Sequence, residues 1–330
     1  MPTAPRDALA TWVRALPKAE VHLHLEGCVP PSLVAGGDER PRLPVRNLGE
    51  LLAYLDWACA RIDRPAQLAT IAYETMARAT ANGAGHVDLI ANPTHWPAFA
   101  GRLDAFVGGL DEGFAQAEAD GLGTAALCLS LKRTQGAQEA DELVSWILAH
   151  PGGRVVALSI DGDERDGAAS HTERFRAAFA RAAAAGVHRC VHAGESSGAH
   201  GVRAAIDALL AERVDHGIGC IEDTALVAEI AARGIPLDVC PGSNVRLGVV
   251  ASLAAHPLER LRRAGVRVSI DTDDPLLYGT ELTGEYLSCA AAFAWDREAL
   301  RALARTSIES CFAPPSRRAE LLRALDAHPD

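Results

Sequence analysis

The sequence predicts an α/β fold, a (β/α)8 barrel of the TIM type with additional C-terminal helices. Short β-like runs alternate with longer helical stretches, which implies parallel strands joined by right-handed crossovers. Eight such runs fall within about 250 residues, a spacing that suits a barrel better than a doubly wound sheet. Polar and titratable residues also collect at the C-terminal ends of the runs, where a barrel of this type builds its active site.

In order, the runs are EVHLHL (20–25), HVDLIA (86–91), TAALCLSL (124–131), VVALSI (155–160), RCVHAG (189–194), RVDHG (213–217), PLDVC (236–240) and RVSIDT (267–272). Helical periodicity covers 48–62 with 66–82, then 102–119, 137–149, 173–185, 199–211, 222–233 and 253–264. AAAAGVHRC, AARGIPLDV and RRAGVRVSI repeat one helix–glycine–strand join, with the glycine ending the helix. After the eighth run, helical segments near 281–294, 297–312 and 315–327 close the structure, and APPS (313–316) is the sharp break among them. Nothing reads as a linker, so a single domain is expected over 1–330. PPSLVAGGDERPRLP (30–44) reads as a loop over the end of the first strand and as a candidate part of a lid.

Composition narrows the class of function. Hydrophobic residues make up 48 % and charged residues 23 % of 330, the balance of a soluble globular protein. A net charge of −11 without a basic stripe argues against nucleic acid held through its phosphates. No apolar run is long enough to span a membrane, and the N-terminus lacks the pattern of a signal peptide, so a cytoplasmic location is expected. Eight cysteines are scattered without a C-x-x-C pair and read as reduced packing residues. The chain has two lysines, Lys18 and Lys132.

The strand ends carry the chemistry. The first ends in His22, His24 and Glu26, the fourth in DGDE (161–164) and the fifth in HAGE (192–195). DHG (215–217), CPGSN (240–244) and DTDDP (271–275) end the sixth, seventh and eighth, whereas NPTHWP and SLKR after the second and third are less distinctive. Side chains two apart on a strand share a face, so His22 and His24 both point into the barrel mouth. With His192 and a carboxylate from the eighth strand they form a nitrogen-rich set suited to Zn²⁺. Zinc brings the pKa of a bound water toward neutrality, and Glu195 and His216 are then the first candidates for acid–base work. Taken singly, each piece has a plainer explanation: H-x-H as a partly exposed pair, His192 or His216 as hydrogen-bonded core residues, Asp273–Asp274 as the start of a turn before Pro275. Their joint occurrence in strand order favours the metal site. His95, Trp96 and His200 lie near strand ends as possible pocket residues, and the remaining histidines, His256 included, read as surface or packing residues.

PKAEVHLHLEG, HAGE, RVDHG, CPGSN and DTDDPLLYGTELTGEY together resemble the adenosine deaminase family of metal-dependent hydrolases, over about Leu16 to Phe312. The resemblance implies hydrolytic deamination of an aminopurine at one Zn²⁺ per chain, with a small-molecule partner and no role for nucleic acid or membrane. His22, His24, His192 and Asp273 match the family's zinc ligands. Glu195 matches the acid that protonates the purine N1 as zinc-bound hydroxide attacks C6, and His216 the histidine that orients the water and assists its deprotonation. Asp274 matches the N7 partner and Gly162 the backbone donor to N3, while His24 and Glu26 lie on the substrate side. Contact with the ring and partial desolvation are expected to raise the pKa of Glu195.

Departures from the family bear on the substrate. Glu26 stands where mammalian-type enzymes have aspartate, Asp215 where glycine is commoner, and Ile90 and Ala91 where an arginine and an aromatic are usual. HLHLEG and RVDHG lean toward adenine deaminases, and DDPLLYGTELTGEY leans toward the nucleoside branch. Adenosine or a related nucleoside is the first reading, with adenine, aminodeoxyfutalosine or an N6-modified purine as alternatives. From other classes, a two-metal amidohydrolase lacks its bridging lysine on the fourth strand, a Rossmann dehydrogenase lacks G-x-G-x-x-G, and a non-catalytic purine-binding barrel is the remaining rival.

Overall fold

A computed structural model of the chain describes residues 5–35, 45, 47–164 and 168–329. Eight parallel strands follow one another around a barrel in the order of the sequence. They are β1 (Lys18–His24), β2 (Ala84–Ala91), β3 (Thr124–Lys132), β4 (Val155–Asp161), β5 (His188–Ala193), β6 (Arg213–His216), β7 (Leu237–Val239) and β8 (Val268–Ile270). Each lies within a few residues of its predicted run. The glycines of the three repeated joins, Gly186, Gly234 and Gly265, have φ of +77°, +66° and +85°, which a side chain would resist.

Alternation along the strands separates two environments. Val21, Leu23, Val87, Leu89, Leu127, Leu129, Leu158 and Ile160 are buried in the apolar layer shared with the surrounding helices. The inward positions carry only a thin apolar layer, Ile90, Cys128, Ala157 and Cys190. Around it the interior is charged. Arg213 is fully buried, pairs with Asp88 and Asp238, donates to Val21 O at 2.9 Å, and has its Nε 4.0 Å from Asp215.

Three of the eight junctions are short, and β6–β7, with the pairs Val214–Leu237 and Asp215–Asp238, joins two strands that are themselves short. β4 and β5 pair at Ala157–His188 and Leu158–Arg189, near their bases. β8 and β1 meet at one bridge, Leu23–Asp273. There His24 N donates to Asp273 O at 2.9 Å and Asp273 N to His22 O at 3.1 Å.

Helices Leu282–Phe293, Arg297–Ser310 and Pro315–Ala327 follow β8 as expected. They close the base of the barrel: Ala19 N donates to Ser307 Oγ at 3.0 Å, and Phe312 N to Asp88 Oδ2 at 2.9 Å. A helix over Pro5–Ala15 is additional to the predicted set. The predicted 253–264 helix is split into a 3-10 turn, Leu253–Ala255, and a helix, Leu258–Arg263. Pro257 forces the break, because the residue before it, His256, is held extended at φ −67°, ψ 134°. The predicted 30–44 loop falls outside the described residues beyond Ala35. Among the described residues no helix is long and apolar enough to cross a membrane.

Candidate active site

His22, His24, His192 and Asp273 converge at the C-terminal mouth of the barrel. The Nε2 atoms of His22 and His24 lie 3.0 and 2.9 Å from His192 Nε2, and Asp273 Oδ1 is 3.6 and 3.4 Å from His22 and His24. His22 Nδ1 sits 3.0 Å from the carbonyl of Asp238. A carbonyl only accepts, so that nitrogen carries the proton and Nε2 presents a bare lone pair. His192 Nδ1 lies 2.9 Å from Asp215 Oδ2 without the alignment of a hydrogen bond, and the charge of the carboxylate favours the proton on that nitrogen. Bare lone pairs at this spacing repel unless an electrophile lies between them, so the donor set fits a cation. Burial, followed by the neighbouring imidazoles, lowers the pKa of His22 and His192 well below the ordinary value. Burial also opposes a charge on His24, yet Asp274, Asp273, Asp161 and Glu26 raise it to about 9. That is the signature of a site with negative charge to spare. Cys240, His216, His22 and Asp273 form a second, overlapping group of possible donors.

Glu195 and His216 face each other beside this cluster. His216 Nε2 is 3.7 Å from Glu195 Oε1, and the Glu195 side chain is 22 % exposed. Burial raises the Glu195 pKa, against the pull of His216. His216 and Asp273 both take φ in the left-handed region, +63° and +64°, without being glycine. Strain of this kind costs on the order of 1–3 kcal/mol per residue and persists where the surroundings over-determine the geometry.

The neighbouring cavity, about 220 Å³, is lined by His24, Glu26, Gly162, Glu195, His216 and Asp274, with Leu51, Leu55 and Leu247 toward the mouth. Asp274 is buried, has Oδ1 unpartnered, and receives the Tyr278 hydroxyl on Oδ2 at 3.2 Å. Burial first, and then the adjacent Asp273, raises its pKa well above the ordinary value. Gly27 explains the end of the first motif. A Cβ there would lie 2.1 Å from Asp274 Oδ1 and 2.5 Å from its Cα. Glu26 Oε1 accepts from Asn92 N and from Trp96 Nε1, both at 2.9 Å, and Oε2 is buried without a partner.

The family model described as adenosine deaminase matches residues 17–328. The chain belongs to the adenosine deaminase family. Among curated relatives, the adenine deaminase of Rhodospirillum rubrum is 32 % identical over 332 residues, covering 96 % of this chain and 98 % of that protein. The adenine deaminase of Rhizobium leguminosarum bv. trifolii is 34 % identical over 323 residues, covering 94 % and 99 %. Among solved structures, adenine deaminase from Arthrobacter aurescens matches with a TM-score of 0.87 at 30 % identity, over 94 % of this chain and 98 % of that one. An amidohydrolase from Burkholderia ambifaria with bound zinc matches with a TM-score of 0.85 at 25 % identity, over 99 % and 96 %. This deaminase is therefore a hydrolase acting on C–N bonds, of a metal-dependent family.

Several residues that shape the deaminase site carried little sequence signal. Arg133, from the unremarkable SLKR, fills the gap where β4 and β5 part: it donates to His192 O and, at 3.3 Å, to Gly162 O, with Glu164 at 3.7 Å. Asn92 donates to Asp161 Oδ1 at 2.7 Å, and Ser243 to Asp273 Oδ2 at 2.6 Å. Of the possible pocket residues, His95 lines the cavity, Trp96 stands behind Glu26, and His200 is exposed on the helix Gly198–Asp207.

Proposed function

We propose that this deaminase removes the 6-amino group of adenine as the free base, giving hypoxanthine and ammonia. The observation that carries the reading is that relatives more than 30 % identical, matched along nearly the whole chain, are adenine deaminases. They support the free-base alternative better than the adenosine reading that the sequence favoured. The cavity agrees: at about 220 Å³ it lies below the usual range for drug-sized ligands. The free Oε2 of Glu26 is a buried acceptor, suited to the ring N–H that a free purine has and a nucleoside has replaced by sugar.

In this reading His22, His24, His192 and Asp273 hold one Zn²⁺. When bound there, the metal supplies Lewis-acid activation of the attacking water. Glu195, whose pKa burial raises, gives its proton to N1, which drains electron density from C6. An Asn244 N–H faces His216 Nδ1 at 3.3 Å, so that nitrogen accepts and the ring proton stands on Nε2. It orients the water by donating to the oxygen and assists deprotonation by stabilising the charge that develops there, while the proton the water loses passes to the 6-amino group, which leaves as ammonia. Protonated Asp274 donates to N7, and the Gly162 N–H to N3.

Ammonia release over a panel of adenine, adenosine, deoxyadenosine, methylthioadenosine and aminodeoxyfutalosine tests the reading. Adenine is expected to exceed adenosine by about 10²-fold or more in kcat/KM. Adenosine turned over as well as adenine would overturn it.

A further inference from the structure

Behind Glu195 lies a buried hydrogen-bond chain that belongs to neither the metal ligands nor the purine contacts. Leu258 N, at the start of its helix, donates to His256 Nδ1 at 3.1 Å. That fixes the tautomer, because the accepting nitrogen is bare and the proton of the neutral ring sits on Nε2. His256 Nε2 lies 3.1 Å from Asn244 Oδ1 and donates to it. The amide is thereby turned so that Nδ2 donates to Glu195 Oε1 at 2.9 Å, with its other N–H toward His216 Nδ1 at 3.3 Å. Flipped by half a turn, the amide would set its NH₂ against the His256 N–H, losing the bond from His256 and both N–H donations toward Glu195 and His216. Asn244 is fully buried and His256 is 3 % exposed, so water does not replace a lost partner cheaply.

We propose that Asn244 and His256 act as a positioning dyad that fixes which oxygen of Glu195 carries the catalytic proton. In a neutral carboxyl group, the oxygen that receives an N–H is the carbonyl oxygen, and the hydroxyl is the other one. The Asn244 amide occupies Oε1, so the proton stands on Oε2, the oxygen free to meet the substrate. His256 acts through Asn244: it touches neither the purine cavity nor the predicted metal ligands, and its role is to hold the amide in the donating orientation. Its position follows from Pro257, which splits the predicted helix and presents the ring as a cap on Leu258.

The inference rests on Glu195 being the proton donor, and a double-mutant cycle on the zinc-loaded enzyme separates the two claims. Asn244→Ala and His256→Leu are each expected to lower kcat about 10-fold, with KM for adenine and zinc content unchanged. In the Asn244→Ala background, His256→Leu should cost nothing further, because the residue it acts through is gone. His256→Gln, whose amide reaches the Nε2 position, should restore most of the loss. If His256→Leu does not fold, His256→Asn takes its place in the cycle, since it keeps the acceptor for Leu258 N and removes the donor to Asn244. Losses that add in the double variant, or His256 variants with the wild-type kcat, overturn the dyad. Glu195→Gln in the same series is the separate control: full activity there would remove the proton-donor assignment itself.

Discussion

Gly27→Ala tests the geometry of the site with a single methyl group. The added Cβ would lie 2.5 Å from Asp274 Cα, where ordinary contact begins near 3.4 Å, so about 1 Å of movement is required. Rotating the Asp274 side chain does not remove the conflict, because the Cα is part of it. Asp274 follows Asp273, which is pinned to β1 through His22 O and His24 N, so the shift strains that junction as well. Overpacking of this kind costs about 1–3 kcal/mol of stability. A displacement of about 1 Å in a substrate-holding residue costs on the order of 10²-fold in rate. The assay is kcat/KM from ammonia release, with zinc content and thermal melting on the same preparations. Gly108→Ala, on the helix Leu103–Ala119 with nothing within 4 Å of the new Cβ, is the matched control. It should keep full activity and gain roughly 0.5–1 kcal/mol. A Gly27→Ala enzyme with wild-type kcat/KM and an unchanged Tm would refute the close-approach argument.

Four further outcomes follow from the same geometry. Glu195→Gln should keep zinc and lose about 10²–10⁴-fold in kcat, and retained activity would sink its role as acid. Asp215→Asn removes the carboxylate beside His192 Nδ1 and should weaken zinc binding by about 10–100-fold in a chelator competition; unchanged affinity would show the contact to be idle. Stripping the metal should lower stability by roughly 4 kcal/mol relative to zinc at a thousand times its Kd, whereas equal melting of apo and loaded forms would contradict zinc at this site. Glu259, bound by Arg262, Trp295 and Arg263, has its pKa lowered from 4.5 to about 2. A depressed carboxylate stabilises the fold above its unfolded pKa and loses that contribution as pH falls from about 4.5 to about 2. Denaturant unfolding of Glu259→Gln should therefore differ from wild type at pH 6 and converge with it toward pH 2, and parallel curves across that range would contradict the assignment.

The barrel and the convergence of the predicted site residues were legible because both rest on local pattern. Strand parity alone turns His22 and His24 to one face, and strand order alone brings HAGE, DHG and DTDDP to the same mouth. What escaped depends on register and on long side chains. The contact of Asp215 with His192 requires the β5–β6 pairing that sets these two residues side by side. Arg133 matters only because β4 and β5 part above Leu158, which no residue pattern announces. His256 read as a packing residue because its partners lie 12 residues upstream and two downstream, in elements joined by a turn. The proposed choice of base over nucleoside draws on the free Oε2 of Glu26, and motif letters do not place that atom.

The β4–β5 and β8–β1 junctions bear on how the enzyme could be taken apart and rebuilt. They divide the ring into two four-stranded arcs, β1–β4 and β5–β8, each hydrogen-bonded from strand to strand. His22 and His24 belong to the first arc, His192 and Asp273 to the second. A metal held by all four would be a rivet across the halves, and Arg133 and Arg213 cross between the same halves through His192 O, Asp88 and Val21 O. Under the proposed metal site, cutting the chain between β4 and β5 would thus yield two fragments whose reassembly should depend on zinc, a split enzyme in which the ion proposed to activate water would also report that the halves have met.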